Sequence, residues 1–295
     1  MRIFVVGLGA AGRRHLANAR ALGHDAEGGR LGDAEQFGPD AIVVASPTGV
    51  HLDALRWAAD RGVHAFVEKP IAASSAGVGE ALAVAEQAGI TVAVGYNLRF
   101  HPALEAIADA VRGGRIGRLL SVRAEVGQYL PDWHPGEDYR TSYAAQASLG
   151  GGALLTLSHE LDSVRWIAGE VDAVQGCAVH VSSLELDVDD VAELVCRHAG
   201  GAVSSIHLDF LDRSYNRRSR WVGEEGTIAW EWGGPARLLP ADETLSAATP
   251  DALEGTYLAA LQDFVDAAAT GRVPRCSGRD GLRTLELCEA VAIER

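Results

Sequence analysis

The sequence predicts an α/β protein whose N-terminal half forms a doubly wound parallel sheet. Its C-terminal half is predicted to be an α+β domain with an open, mostly antiparallel sheet. A glycine-rich turn joins the first apolar strand to the first helix, and short apolar strands then alternate with helices up to about residue 112. After Gly113-Gly114 successive strands are joined by short turns, a pattern typical of an antiparallel meander.

Length and composition indicate two domains and exclude several classes of protein. We place the domains of the 295-residue chain at residues 1–115 and 116–278, with a C-terminal helix at about 279–294 packing back on the first. The net charge of −14 argues against a nucleic-acid-binding role. The four cysteines form no C-x-x-C pair, and neither a leader nor a membrane-length apolar run is evident. We therefore expect a cytoplasmic globular protein without a metal site.

The order strand, glycine motif, helix predicts a dinucleotide site at the start of the chain. Residues 3–6 form an apolar strand, Gly7-Leu8-Gly9-Ala10-Ala11-Gly12 follows, and a helix is predicted from Arg13 to Leu22. The first glycine makes the tight turn, the second lets the backbone approach a pyrophosphate, and the third allows close helix–strand packing. The helix N-terminus supplies amides and a positive dipole. The alternative is a glycine turn that binds no ligand.

The end of the second strand bears on the choice of cofactor. In dinucleotide folds that select the unphosphorylated ribose, an acid usually lies about 20 residues past the glycine motif. Asp25 and Glu27 come too early for this role, and the expected strand end carries Gly29-Arg30 instead. An arginine there suits a 2′-phosphate, so we expect NADP rather than NAD. The alternative for Arg30 is a solvated loop position.

Three polar clusters follow predicted parallel strands, at residues 46–51, 68–70 and 95–101. Because ligands bind at the carboxyl ends of the strands in such sheets, we expect the clusters to converge on one site. Lys69 is the only lysine among the 26 basic residues. Lysine can be desolvated and can exchange a proton, whereas arginine stays charged, so we interpret Lys69 as catalytic. The alternative is a last surviving lysine on an edge.

The C-terminal half contains a helix with a candidate proton-transfer group. After a triple glycine, Ala153 to Ala168 has an apolar stripe at helical spacing. Thr156, His159 and Asp162 lie three residues apart and share a different face. A histidine off the packing stripe, with a carboxylate one turn on, can act as an oriented general base, and a surface histidine is the alternative. Few helices are left to cover the open sheet, so we expect self-association through it.

Together these features resemble the Gfo/Idh/MocA oxidoreductase family over nearly the whole chain. The matching residues are the glycine motif, Ser46-Pro47-Thr48 with His51, Glu68-Lys69-Pro70, Gly95-Tyr96-Asn97 with Arg99, the triple glycine with His159 and Asp162, and Gly223 to Gly226-Thr227-Ile228. The resemblance implies a Rossmann domain, a C-terminal domain whose open sheet is used for dimerisation, and NAD(P)-dependent oxidation or reduction of a sugar or polyol carbon. It also implies that Lys69 contacts the reacting oxygen while His159 moves the proton. The family commonly has an aspartate where this chain has Thr156.

The polar, aromatic loop of the second domain resembles a narrower subgroup associated with nucleotide-sugar, nonulosonic-acid and other deoxy- or amino-sugar pathways. The predicted catalytic residues are Lys69 and His159, with Thr156 and Asp162 as candidate relay groups. The predicted cofactor-binding residues are Gly7, Gly9, Ala10, Ala11, Gly12, Arg13, Arg30, Ser46, Pro47, Thr48, His51, Glu68, Lys69 and Asn97. The predicted substrate-binding residues are Tyr96, Arg99, Tyr129, Trp133, Tyr139 and Arg140.

We therefore expect an NADP-preferring oxidoreductase, with NAD as the alternative cofactor, that acts as a homodimer or homotetramer. It would transfer a hydride between nicotinamide and a carbon of a sugar, a polyol or a nucleotide-linked sugar. Two other functions stay open at this point. One is a redox-neutral sugar epimerase or lyase that retains its cofactor. The other is a non-catalytic sensor of NADP or of a sugar, for which Thr156 is the one favourable feature.

Overall fold

The computed structural model describes residues 1–248 and 252–294 of the chain. The chain divides into two compact units, the first comprising Met1–Asn97 and Glu254–Glu286 and the second Leu98–Leu253 and Leu287–Arg295. This division differs from the predicted boundary at residue 115 because the helix after Asn97 packs within the second unit. Within the described ranges, no helix combines the length and the apolar character needed to cross a bilayer.

The helices of the described residues account for most of the packing around the two sheets. In chain order they are α1 (Ala10–Ala21), α2 (Ala34–Phe37), α3 (His51–Arg61), α4 (Val78–Gln87), α5 (Pro102–Arg112), α6 (Ala153–Thr156), α7 (His159–Ala168), α8 (Ala252–Thr270) and α9 (Gly278–Glu289).

Five parallel strands form the sheet of the first unit, in the order β2-β1-β3-β4-β5. They are β1 (Arg2–Val6), β2 (Asp25–Gly29), β3 (Ala41–Val44), β4 (His64–Val67) and β5 (Val92–Val94). The order confirms the predicted doubly wound sheet. Its direction of winding reverses between β1 and β3, and ligands of such folds bind outside the carboxyl ends of the strands at this point.

A second, nine-stranded sheet forms the framework of the second unit, in the order β13-β12-β11-β10-β6-β9-β8-β7-β14. The strands are β6 (Leu119–Gly127), β7 (Val171–Val179), β8 (Val191–His198), β9 (Val203–Asp209), β10 (Asn216–Gly223), β11 (Thr227–Glu231), β12 (Arg237–Leu239), β13 (Glu243–Thr244) and β14 (Ala292–Glu294). Neighbouring strands are antiparallel except for β6 with β9 and β7 with β14. The prediction of a mostly antiparallel sheet is therefore confirmed.

Helices of the unit cover one face of this second sheet, and the described residues leave the other face exposed. α7 packs on β6 and β9, and α5 packs on α7. In β8 buried and exposed residues alternate, as expected of a sheet with one buried face. Buried residues such as Leu194, Ile206 and Trp221 form the core, whereas Val195 and Val203 lie on the outer face and are exposed.

The predicted helix Ala153–Ala168 is broken into α6 and α7. Leu157 and Ser158 leave helical geometry between them, with ψ angles of 18° and 0°. The Ser158 hydroxyl donates to the carbonyl of Leu155 at 2.8 Å, so a side chain competes there with the helical backbone bonds. Thr156 therefore ends one helix and His159 begins the next, and the continuous face predicted for Thr156, His159 and Asp162 is interrupted.

The C-terminal helix is shorter than the predicted 279–294. α9 ends at Glu289, and β14 pairs in parallel with residues Cys177–Val179 of β7. The edge of β7 offers unpaired backbone groups, and pairing with them competes with continuation of the helix. The helix itself belongs to the first unit up to Glu286, and the strand after it belongs to the second.

Candidate active site

The glycine loop between β1 and α1 has the geometry of a pyrophosphate cradle. Gly7 has a φ of 92°, and a Cβ there would lie 2.8 Å from the carbonyl oxygen of Ala45. A Cβ on Gly12 would lie 1.8 Å from the carbonyl oxygen of Gly7, whereas the space at Gly9 is open. Gly9 is the N-cap of α1 and brings no side-chain cap, so the first amides of the helix are not capped by a side chain. The backbone amides of Ala10 and its neighbours are therefore suited to bind the diphosphate of a dinucleotide.

Two charged side chains lie at the carboxyl end of β2. Arg30 follows the strand directly, at the position that the sequence predicted, and its side chain is exposed. Its backbone N–H donates to Oδ2 of Asp33 at 2.8 Å, and the same oxygen lies 2.8 Å from where a Cβ of Gly29 would be. Sequence reasoning missed Asp33 because it lies beyond the strand in a short turn. Arg13, also predicted to bind the cofactor, is exposed and donates to the carbonyl of Leu8 at 2.7 Å.

His51 joins two of the predicted polar clusters. Its Nε2 lies 2.8 Å from the carbonyl oxygen of Ser46, and its Nδ1 lies 2.9 Å from that of Pro70. Burial lowers the pKa of His51, and a neutral imidazole donates through one nitrogen at a time. Pro47 and Thr48 lie between Ser46 and α3, and Thr48 is buried. The turn after β3 and the turn after β4 are therefore held together by one side chain.

Glu68 and Lys69 follow β4 at the same carboxyl edge of the sheet as the glycine loop. Oε1 of Glu68 lies 2.6 Å from Nε2 of His15, and Oε2 accepts the backbone N–H of Lys69 at 3.2 Å. Burial raises the pKa of Glu68, but the hydrogen bond from His15 and the charge of Lys69 outweigh it, so the net shift is downward. Lys69 is partly exposed, and its peptide bond to Pro70 is cis.

The cluster after β5 is more deeply buried than the sequence implied. Nδ2 of Asn97 donates to Oγ1 of Thr256 in α8 at 2.6 Å, which places α8 beside this turn. The ring of Tyr96, predicted to bind the substrate, is buried in the first unit. Thr256 was not predicted, since nothing in the local pattern of α8 distinguishes it from a packing residue.

In the second unit, the carboxylate of Asp162 is bound by Arg99. Nε and Nη2 of Arg99 donate to the two carboxylate oxygens at 2.8 and 2.7 Å. Both side chains are at most 2 % exposed, so this is a buried bidentate ion pair. Asp162 was predicted to assist His159 and Arg99 to hold the substrate; this ion pair joins the two side chains to each other.

A second buried ion pair anchors the first turn of α7. Nε of Arg217 lies 2.7 Å from Oε1 of Glu160, and the guanidinium stacks 5.5 Å from the ring of Trp232. His159 is therefore flanked by Glu160 and Asp162, both bound to arginines of other elements. The sequence did not reveal the Glu160 pair, since the arginine-rich stretch that contains Arg217 was interpreted as an exposed basic turn, whereas Arg217 lies in β10.

The aromatic loop after β6 contributes four predicted substrate residues. The hydroxyl of Tyr129 accepts from Arg213 at 3.3 Å, and Nε1 of Trp133 donates to the carbonyl of Gln128 at 3.3 Å. The hydroxyl of Tyr139 accepts the backbone N–H of Glu185 at 3.1 Å. Arg140 is exposed and pairs with Asp138 and Glu185 at 2.8 and 3.2 Å.

Comparison with known proteins gives matches over both units. Residues 30–96 match the model described as an oxidoreductase family with an NAD-binding Rossmann fold, and residues 104–229 match the GFO/IDH/MocA C-terminal domain. The chain is 30 % identical to the uncharacterized oxidoreductase YrbE of Bacillus subtilis, over 85 % of this chain and 74 % of that one. It is 26 % identical to the D-xylose 1-dehydrogenase (NADP(+)) 2 of Haloferax volcanii, over 85 % and 77 %, and 26 % identical to the myo-inositol 2-dehydrogenase of Thermotoga maritima, over 97 % and 94 %.

Solved structures share the fold at lower identity. A probable dehydrogenase from Thermotoga maritima superposes with a TM-score of 0.79 at 24 % identity, covering 99 % of this chain and 96 % of that one. The WlbA dehydrogenase of Bordetella pertussis, solved with NADH and UDP-GlcNAcA, has a TM-score of 0.81 at 23 % identity, covering 98 % and 94 %. With the glycine cradle and the sheet order, these matches establish that the chain belongs to the Gfo/Idh/MocA family of oxidoreductases and carries its NAD-binding Rossmann domain.

Proposed function

We propose that this protein transfers a hydride between a nicotinamide cofactor and a carbon of a sugar or polyol. The observation that carries the proposal is Lys69, held at the carboxyl end of β4 on the same edge of the sheet as the glycine cradle. Relatives named as D-xylose, D-apiose and inositol dehydrogenases support the substrate class.

Two side chains carry the proposed chemistry. Lys69 polarises the substrate oxygen, since an ammonium stabilises negative charge that develops there. His159 gives or takes the proton of that oxygen, because imidazole titrates near neutral pH. A bound nicotinamide cofactor supplies the site that accepts or donates the hydride. In this scheme Asp162 and Thr156 position α7 and the turn before it rather than relaying the proton.

Carboxylate partners occupy several of the arginines that could bind a nucleotide-linked substrate. A diphosphate is bound most strongly by guanidinium groups that lack such a partner. Arg217 pairs with Glu160, Arg218 with Glu125, and Arg140 with Asp138 and Glu185, whereas Arg213 donates to the hydroxyl of Tyr129 and has no carboxylate partner among the described residues. A nucleotide-linked sugar is therefore the alternative substrate. We propose a free sugar or polyol, which the named relatives support, bound by Tyr129, Trp133 and Tyr139 through stacking and hydroxyl contacts.

A substrate screen tests the function. The protein is incubated with NAD or NADP and a panel of free aldoses, inositols, anhydrosugars and UDP-linked sugars, and absorbance at the reduced nicotinamide band is followed. Turnover of free sugars or polyols supports the proposal. Turnover of UDP-sugars alone overturns the preference for an uncharged substrate. Substrate conversion with no net change in cofactor identifies an epimerase or lyase, and cofactor binding without any conversion identifies a sensor.

For the cofactor we propose a preference for NADP, supported by the position of Arg30 after β2. Arg30→Ala is expected to weaken NADPH binding about 10- to 100-fold and to leave NADH binding nearly unchanged, since a charge-assisted bond contributes about 1.5–3 kcal/mol. Asp33→Asn is expected to tighten NADPH binding by removing a like charge near the 2′-phosphate. Titration of nicotinamide fluorescence measures both, with the exposed Arg283→Ala as the control. Equal loss for both cofactors in Arg30→Ala would contradict the preference.

For the assembly we propose a homodimer or homotetramer formed through the outer face of the nine-stranded sheet. Val195 and Val203 are exposed there, on adjacent strands. The chain has a mass of 31.1 kDa, so sedimentation velocity distinguishes a monomer from a dimer or tetramer directly.

A further inference from the structure

The carboxylate of Glu68 is enclosed on two sides within the first unit. Nε2 of His15 lies 2.6 Å from one carboxylate oxygen, and the backbone N–H of Lys69 donates to the other at 3.2 Å. On a further side, a Cβ at Gly95 would lie 2.9 Å from Oε2 and 3.3 Å from Cα of Glu68, so glycine leaves room for the carboxylate in this position. These contacts hold the carboxylate of Glu68 beside the backbone of Lys69.

His15 is placed by packing that leaves its ring little freedom. It is 0 % exposed and lies between the rings of Phe66 and Tyr257, with centroid distances of 5.2 and 6.2 Å. Phe66 belongs to β4 and Tyr257 to α8, so two elements hold the imidazole against Glu68.

The hydrogen bonds indicate how the two side chains are arranged. An ionised carboxylate only accepts, so Nε2 of His15 carries the proton in the contact with Glu68. Nδ1 of His15 is buried and has no hydrogen-bond partner among the described residues. The contact with His15 therefore orients the carboxylate of Glu68, which carries a negative charge.

That negative charge acts on Lys69. The charge of Lys69 favours the ionised form of Glu68, and the interaction is reciprocal, so Glu68 favours the ammonium form of Lys69. His51 is also coupled to Lys69, whose charge lowers the pKa of His51 and so disfavours its protonation. A neutral His51 adds no opposing charge.

We propose that Glu68, oriented by His15, is the positioning residue that holds Lys69 in place and in its ammonium form. The catalytic role of Glu68 rests on the function proposed above, whereas its pairing with Lys69 can be measured without any substrate. Lys69 would then act as a cationic hydrogen-bond donor to the substrate oxygen, and its proton would be retained at neutral pH.

The single lysine allows a direct test. Protein grown with ¹³C,¹⁵N-lysine shows one side-chain signal and one backbone amide, both from Lys69. In Glu68→Gln the pKa of Lys69 is expected to fall by about one unit or more, since a neighbouring opposite charge shifts a pKa by about 1–3 units. In His15→Phe the amide of Lys69 is expected to exchange with solvent about tenfold faster, because the carboxylate that accepts it is no longer held.

Glu86→Gln is the matched control, since it removes the same charge from an exposed carboxylate paired with Arg279. A pKa of Lys69 that is the same in wild type, Glu68→Gln and Glu86→Gln would overturn the proposal. If His15→Phe does not fold, the Glu68→Gln titration decides alone. A shifted pKa together with turnover that does not depend on Lys69 would leave the pairing intact and refute the proposed function instead.

Discussion

Lys69→Arg is expected to lower kcat by about 10²- to 10⁴-fold, the range that a positioned proton-transferring or polarising group contributes. Arginine keeps the positive charge, but its planar guanidinium is larger and cannot place a compact point charge at the substrate oxygen. The backbone N–H that donates to Glu68 is retained, so the turn itself is expected to persist.

Steady-state kinetics with the sugar selected by the screen measure this loss, and nicotinamide fluorescence measures cofactor binding separately. Binding is expected to change by less than about threefold, which places the defect in the chemical step. Arg283→Lys, an exposed exchange of the same two residue types, is the control and is expected to behave as wild type. Turnover by Lys69→Arg near the wild-type rate would refute the proposed mechanism.

Arg99→Met is expected to destabilise the protein by about 3–5 kcal/mol, because it leaves the buried Asp162 carboxylate without its bidentate partner. For a unit of this size the midpoint of thermal unfolding is expected to fall by about 10 °C.

Thermal or urea unfolding followed by circular dichroism measures this effect. The double variant Arg99→Met with Asp162→Leu is expected to recover much of the stability, since a buried ion pair can be replaced by apolar side chains. Arg118→Met is the control because it breaks an exposed pair with Glu224, a type of pair that contributes about 0–1 kcal/mol. A stable Arg99→Met variant with a raised KM would instead support the predicted substrate contact.

The sequence predicted most of the first unit because its signals are local. The turn between β1 and α1 requires glycine at positions 7 and 12, and Gly9 leaves the space beside it open, so the spacing of the three already contains the geometry of the cradle. Strands β3, β4 and β5 are mostly apolar and buried, and their ends therefore indicated the positions of the three polar clusters. Lys69 was identified by composition alone, as the single lysine of the chain.

Other features depended on partners distant in the chain and could not be predicted. The partner of Asp162 is Arg99, 63 positions away, and the partner of Glu160 is Arg217, 57 positions away. Asn97 donates a hydrogen bond to Thr256, which lies 159 positions further along the chain. Helix periodicity predicted one helix after the triple glycine, but the Ser158 hydroxyl ends α6 by a bond that the pattern of apolar residues does not show.

By itself, then, the sequence determined the two-part α/β architecture, the dinucleotide cradle and the position of Lys69, since each follows from backbone requirements and patterns within a short stretch. Only the tertiary structure decided which charges are paired. It assigned Arg99 and Arg217 to carboxylates of α7 and brought His15 against Glu68. The physical reason is that a buried charge requires a partner, and folding brings that partner into contact from an element far away in the chain.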